Sequence, residues 1–397
     1  MRYGKALERQ ERVDDGRYPV VGSAGRMTGT SKPLASGATL IIGRKGNVGA
    51  IQLELDGCWP IDTTYYAAVP PGFDAQFLAY QLRALELGRL DSSTTTPSLR
   101  REDLEAEPLV WPELQVQRRI VDILEDRLSR LEAAESDLVA ASDRARALMI
   151  SDAMWSLTGG GSAVGRDVIS FGDRVIPVPD GWRGSTVGAE ASLVQYGTSA
   201  KASEVREANS VPVLRMGNLL DGFLTVDKLK YLPRDHPDVE PLLLRRGDVL
   251  FNRTNSAELV GKSAVFDQAD DSMAFASYLL RVRFGAAVRP EWANIVINSP
   301  LGRAHVATVA SQQVGQANVN GTKLKAFPLL VPPTDVQERL LARHGKIVDG
   351  VRRLTTDVSS ARERGRTLRR ALLQSAFSGR LTRPSTDTET IEELAGV

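Results

Sequence analysis

Residues that are apolar or small, with one histidine among them, recur three and four apart, with one gap of seven, along two long stretches of this chain. The first runs through Ile120, Leu124, Leu131, Ala134, Leu138, Ala141, Ala145 and Leu148; the second through Leu340, His344, Ile347, Val351, Leu354, Val358, Ala361, Gly365 and Leu368. That spacing predicts two long helices, over 112–158 and 332–379, each with a coiled-coil seam. Proline at 112, and at 332 and 333, marks where each begins, because proline is tolerated in a first turn and not in a helix interior. At ~1.5 Å per residue each helix is a rod of roughly 65 to 70 Å, the shape of a spacer. Elsewhere the pattern changes period. Ala38 to Ile42, Val48 to Leu55, Asp248 to Asn252 and Tyr278 to Phe284 are short apolar runs bounded by glycine and polar turns, as strands are, while Phe73 to Leu90 and Glu291 to Ala310 carry helical spacing. Glycine-rich turns are expected around Gly22 to Gly29, Gly43 to Gly49 and Thr158 to Gly165.

The pattern also repeats. Pro108 to Ile120 returns 220 positions later as Pro328 to Leu340, and the helical pattern after each copy closes on Gly159 and Gly379. Upstream the offset is 193: Tyr3-Gly4 matches Tyr196-Gly197, Pro19-Val20 matches Pro212-Val213, and Gly29 matches Gly222. A period this long means two whole domains, not a solenoid. The expected organisation is a first globular domain over 1–111, a first spacer helix over 112–158 and a linker over 159–180. A second globular domain follows over 181–331, then a second spacer helix over 332–379 and a tail over 380–397. The second domain opens with Gly181 to Leu193 ahead of its Tyr-Gly, and the first has no counterpart. Either its start lies upstream, the reading favoured here, or the tail after Gly379 takes that place.

Charge suggests how the rods pair. From Glu113 to Leu157 there are nine acidic and six basic side chains, and from Pro333 to Phe377 five acidic and ten basic. Opposite balances on equal seams favour pairing with each other over self-pairing. The alternative is that these are solvated faces of two unrelated helices. Over the whole chain, 42% apolar and 25% charged residues describe a folded protein, and 397 residues suit two domains. No apolar run approaches the ~18 to 20 residues of a membrane span, and no signal segment opens the chain, so a cytoplasmic location is expected. The single cysteine, Cys58, excludes an internal disulfide and any multi-cysteine metal site. A net charge of +1 leaves nucleic acid open, provided positive charge is confined to one face or shared with a partner.

Several chemistries lack their residues. Transfer of a methyl group to a base calls for a glycine-rich cofactor loop and an Asn/Asp-Pro-Pro-aromatic motif; only Val69-Pro-Pro-Gly72 and Val331-Pro-Pro-Thr334 are present. No acidic residue has lysine two positions on, as a common metal-dependent nuclease requires. Ser256 to Ser263 ends like a phosphate-binding loop but lacks its first glycine, and Gly43 to Gly49 does not have dinucleotide-loop spacing. His236, His305 and His344 are too scattered for a zinc site, and no catalytic residue or metal ligand is assigned. What remains are polar clusters where loops should lie. In the first half these hold Ser23, Arg44, Lys45, Asn47, Ser93, Thr94, Thr95 and Thr96; in the second, Arg215, Asn252, Arg253, Thr254, Asn255, Lys262, Gln312, Gln313, Gln316 and Asn318. Arginine and lysine read guanine edges, asparagine and glutamine read adenine, and serine and threonine serve base or phosphate. Corresponding loops carry different donors, so two such readers would read different sequences. Each cluster can equally be turn chemistry without a ligand.

The lead-ins Pro108 to Gln117 and Pro328 to Gln337, the helix ends Trp155 to Gly159 and Ser375 to Gly379, the stretch Arg246 to Arg253, and Gly43 to Gly46 together resemble the specificity subunits of Type I restriction-modification systems, over nearly the whole chain. The resemblance implies an α+β chain with a pseudo-two-fold internal repeat, in which an antiparallel two-helix coiled coil separates two similar α/β target-recognition domains. Each domain would read one half of a split, asymmetric site on double-stranded DNA. The helices would dock two methyltransferase subunits, which bind the S-adenosylmethionine, and restriction or translocase subunits can join. This chain would hold no cofactor and do no catalysis. Two other readings stay open: a protein-binding scaffold with a dimerising coiled coil, and a stand-alone DNA-binding regulator with duplicated readers.

Overall fold

A computed structural model describes residues 1–91, 97–220, 222–313 and 316–378, with 312 and 313 described by backbone alone. The chain divides into two units, Met1–Ala140 with Thr356–Val397, and Ala141–Thr355. Each long helix, Leu114–Leu157 and Thr334–Phe377, has 44 residues and contributes its two ends to different units. The expected tail over 380–397, and Gly379 itself, lie outside the described residues.

In the first unit, the apolar run Thr39–Gly43 is buried at every position because it is an inner strand. Its sheet has the order Arg2–Tyr3, Thr64–Ala68, Thr39–Gly43, Ile51–Glu54, with all neighbours antiparallel. A three-stranded sheet sets Tyr18–Gly22 between an antiparallel Gly25–Thr30 and a parallel Trp59–Pro60. The helix Ala75–Ala84 starts where the Asp74 carboxylate accepts a hydrogen bond from the Phe77 N–H at 2.9 Å. It is shorter than expected. Glu86, at φ 49°, turns the chain out of it, and a 3-10 turn over Leu87–Leu90 follows. The core joins Leu40, Ile42 and Phe77 to Ile120, Leu124 and Leu128 of the first long helix and to Leu372 and Ala376 of the second.

Cys58 is wholly buried in this unit. Burial, with the Glu54 carboxylate adding to it, pushes its thiol up to about 12. At pH 8 only ~0.01% of it is thiolate, and the thiolate is the nucleophile. Folded protein is therefore expected to resist a thiol reagent at pH 8 and to react fully in denaturant; fast labelling of the native chain would contradict this placement.

The second unit repeats the plan. Its four-stranded antiparallel sheet has the order Ala191–Tyr196, Leu279–Phe284, Val249–Asn252, Ser263–Val265. A second sheet sets Ser210–Leu214 between an antiparallel Lys230–Pro233 and a parallel Ala274–Phe275. Two departures from expectation stand out. The stretch 159–180, expected as a linker, contains a hairpin of Val164–Phe171 and Arg174–Pro179, and its Ile169, Phe171 and Val178 lie in the main core. The glycines that suggested a linker only turn the chain: Gly159, Gly160 and Gly161 all have positive φ. The segment expected to be one helix, Glu291 to Ala310, is two, Pro290–Asn298 and Pro300–Val309. Ser299 adopts an extended conformation before Pro300, and its hydroxyl caps the second by accepting from the Gly302 N–H at 3.1 Å.

The repeated lead-ins have a structural cause. The Gln337 amide, fully buried, donates to the carbonyls of Ala287 at 2.8 Å and Pro332 at 2.9 Å, and its oxygen accepts from the Arg289 N–H at 2.9 Å. In the first unit the Gln117 amide donates to the Pro112 carbonyl at 2.8 Å and accepts from the Asp74 N–H at 2.9 Å. Each glutamine therefore ties the start of its long helix to the start of the domain's own helix. Gln337→Leu keeps the volume but removes the partner of three main-chain groups, the buried Pro332 carbonyl and the part-buried Ala287 carbonyl and Arg289 N–H. At ~1 kcal/mol or more per stranded group, the loss is expected to be about 3 kcal/mol by urea denaturation, and an unchanged midpoint would contradict the role.

Along the first long helix the expected seam residues Ile120, Leu124, Leu131 and Leu138 are buried or half-buried, as are Leu340, Ile347, Val351, Leu354, Val358 and Leu368 of the second. Ala134 and Leu148 are the exceptions. Both are exposed, Leu148 by 54%, and half-buried Glu135 and Met149 take their places. The three-and-four alternation runs from Leu131 through Glu135, Leu138, Ser142, Ala145, Met149 and Asp152. Ion pairs between the long helices follow the predicted charge bias. In the first unit Arg369 meets Glu132 at 2.9 Å. In the second, buried Asp152 takes Arg343 at 2.7 Å and His344 Nδ1 at 2.8 Å, with Arg343 also 4.1 Å from the Trp155 ring.

Candidate nucleic-acid interface

The polar residues singled out by sequence gather at the end of each four-stranded sheet. In the first unit, the main-chain N–H groups of Arg44 and Lys45 both donate to the Thr63 carbonyl, at 2.9 and 3.1 Å, and the Ser23 N–H donates to the Thr63 hydroxyl at 3.4 Å. Gly43 to Gly49 folds back on itself. A Cβ on Gly43 would lie 2.0 Å from the Asn47 carbonyl, and one on Gly49 would lie 2.5 Å from the Gly88 nitrogen, so neither position admits a side chain. The closure holds Lys45 and Asn47 exposed at the loop's outer face. Ser98 bridges to Lys45, which brings the chain directly after 92–96 against this loop. Ser93, Thr94, Thr95 and Thr96 themselves lie outside the described residues.

In the second unit Arg253, Thr254 and Asn255 leave the same strand end. Thr254–Asn255 forms a small antiparallel sheet with Gln316–Asn318 and Ser311–Gln313, so Gln316, Asn318 and the backbones of Gln312 and Gln313 join them. The Asn318 amide donates to the Thr254 hydroxyl at 2.7 Å, and Gln316 is exposed. Arg215 is tied nearby. Its guanidinium donates to the Lys228 carbonyl at 2.8 Å, and the preceding Leu214 carbonyl holds Ala276, next to Ser277, which accepts from Arg253. Two residues are placed differently. Asn252 is 1% exposed, the last residue of an inner strand, so its amide is not presented to a ligand. Lys262 lines a cavity of about 520 Å³ with Arg146, Phe223, Asn294, Val348 and Arg352. That cavity is set against the long helices and not beside Arg253.

Sequence reasoning missed two tyrosines. Tyr3, 50% exposed, lies 5.4 Å from the Arg44 guanidinium, and Tyr196, 45% exposed, lies 5.0 Å from that of Arg253. The signal was present, since these are the tyrosines of the 193-residue offset. Behind the first pair, burial and then a hydrogen bond with Tyr3 push the Tyr65 phenol up, with Arg44 opposing. Arginine, lysine and amide donors beside half-exposed aromatic rings can hold phosphate oxygens and base edges. Among the described residues no cluster of histidine, cysteine or carboxylates is arranged to hold a metal ion, and no helix is long and apolar enough to cross a membrane.

Residues 2–139 match the family described as Type I restriction modification DNA specificity domain. The chain is similar to the Type I restriction enzyme EcoKI specificity subunit of Escherichia coli K12, 25% identical over 191 residues that cover 48% of this chain and 41% of that one. It is also similar to the StySPI specificity subunit of Salmonella potsdam, 23% identical over 204 residues that cover 51% and 44%. The match thus spans about two fifths of the length of those relatives. A chain in the solved structure reported as the structural basis underlying complex assembly and conformational transition of the type I R-M system shares the fold. Its TM-score is 0.68 at 18% identity, over 96% of this chain and 97% of that one.

Proposed function

We propose that the chain is a specificity subunit of a Type I restriction-modification system, as its matches suggest, and that it reads a bipartite, asymmetric site on double-stranded DNA, one half with each unit, and does no chemistry itself. The observation that carries this reading is the equivalence of the two strand ends. Each presents an arginine from the same place in the same sheet order, with different polar neighbours: Lys45 and Asn47 in one unit, Asn255 and Asn318 in the other. Equivalent platforms with unlike donors suit two unlike half-sites. The two long helices act as the spacer that sets the gap of unread base pairs, and their exposed faces dock two modification subunits. Those subunits bring S-adenosylmethionine and transfer its methyl group; restriction or translocase subunits join the same complex, in the cytoplasm.

The reading is tested by sequencing the methylome of cells with and without this chain. A split modified motif that disappears with the chain is the expected result. Its persistence, or the absence of any bipartite motif, would sink the proposal. Footprinting adds a second arm: protection in two separated segments should strengthen when the modification subunits are added.

A further inference from the structure

The two arginine–tyrosine pairs are the same structure built twice. Tyr3 pairs with Tyr65, which pairs with Ile42, two residues before Arg44; Tyr196 pairs with Leu280, which pairs with Phe251, two residues before Arg253. The bonds recur one for one. The Arg44 N–H donates to the Thr63 carbonyl at 2.9 Å and the Arg253 N–H to that of Tyr278 at 3.0 Å. Their guanidinium groups donate to the preceding carbonyls, Asp62 at 3.0 Å and Ser277 at 3.2 Å. Their own carbonyls accept from Leu99 and Val319 at 2.9 and 2.8 Å. In both, Nε is buried without a partner. Among the described residues neither guanidinium forms an ion pair with a carboxylate. Two half-buried cations are thus oriented by backbone and left electrically uncompensated, which is costly unless an anion completes them.

The surroundings have not stayed the same. Gly43 and Lys45 stand beside one arginine, Asn252 and Thr254 beside the other. Two heads that read different half-sites can share only the contacts that both half-sites offer, and those are the phosphates. We infer that Tyr3–Arg44 and Tyr196–Arg253 are sequence-independent phosphate anchors, one per unit, which seat each half-site in the same register while the divergent neighbours read bases.

This rests on the DNA-reading function proposed above, and the experiment separates the two. The full chain, purified with the subunits that accompany it, is used to select duplexes from a random library, and binding is then measured on the selected duplex and on its single-base-pair variants over a salt series. If wild type enriches no duplex, the function itself is wrong. If it does, Arg44→Gln and Arg253→Gln should each weaken binding by about 10-fold on every duplex alike and lower the salt slope by about 1, leaving the ratios between duplexes unchanged. Arg44→Lys and Arg253→Lys, which keep a point charge, should recover most of the binding. A loss confined to one base pair would make the residue a base reader and overturn the inference. So would binding unchanged in the glutamine variants, or lysine variants as weak as glutamine, which would mark a structural fork.

Discussion

Trp292→Ala is expected to unfold the second unit at a much lower urea concentration than the wild type. The indole is wholly buried, donates to the Leu330 carbonyl at 2.7 Å, and meets Trp182 edge to face with centroids 5.6 Å apart. Truncating a core tryptophan costs ~3–5 kcal/mol, a large part of the ~5–15 kcal/mol that holds a domain together. Far-UV circular dichroism across a urea series should show an early step, and the half-site proposed for the second unit should be lost with it. A midpoint within error of wild type would mean that the core drawn around Trp292 is wrong.

Removing one heptad from each long helix should alter the gap in the proposed bipartite site and leave both half-sites alone. Deleting residues 137–143 and 355–361 keeps the three-and-four alternation of both seams. Seven residues are ~10 Å of helix, or about three base pairs of duplex at ~3.4 Å each. Methylome sequencing of cells carrying the shortened chain reads the result directly. A changed half-site sequence would show that the helices help to read bases, and an unchanged gap would show that they do not set the distance.

Features dictated by local periodicity are legible in the sequence. The heptads locate both long helices, and alternation with turn residues locates strands near 39–43, 51–54, 249–252 and 279–284. Features that depend on distant partners are not. Whether the hairpin at 164–179 is a linker or a piece of core is decided by Phe171 and Val178 packing on residues more than a hundred positions away. Asn252 looks like a reader beside Arg253, but one position along a strand exchanges the buried face for the open end. Leu148 and Met149 are both apolar neighbours on one helix, and only the partner helix chooses between them. Tyr3 and Tyr196 stand out in the sequence as marks of duplication; their stacking on arginine follows from sheet register, which sequence does not display.

The contact of Asp152 with Arg343 and His344 has a counterpart under the 220-residue repeat: Leu372 stands where Asp152 would, and Leu124 where His344 would, both buried. One end of the seam is sealed by charge and the other by oil. Were the first long helix of one molecule to lie head to tail on the same helix of another, Asp152 would come to rest on Leu124 with neither cation at hand, a stranded carboxylate costing ~3–5 kcal/mol. The duplication made the halves alike enough to mispair, and this asymmetry, together with the opposite charge balances, biases the first long helix toward the second and away from its own copy.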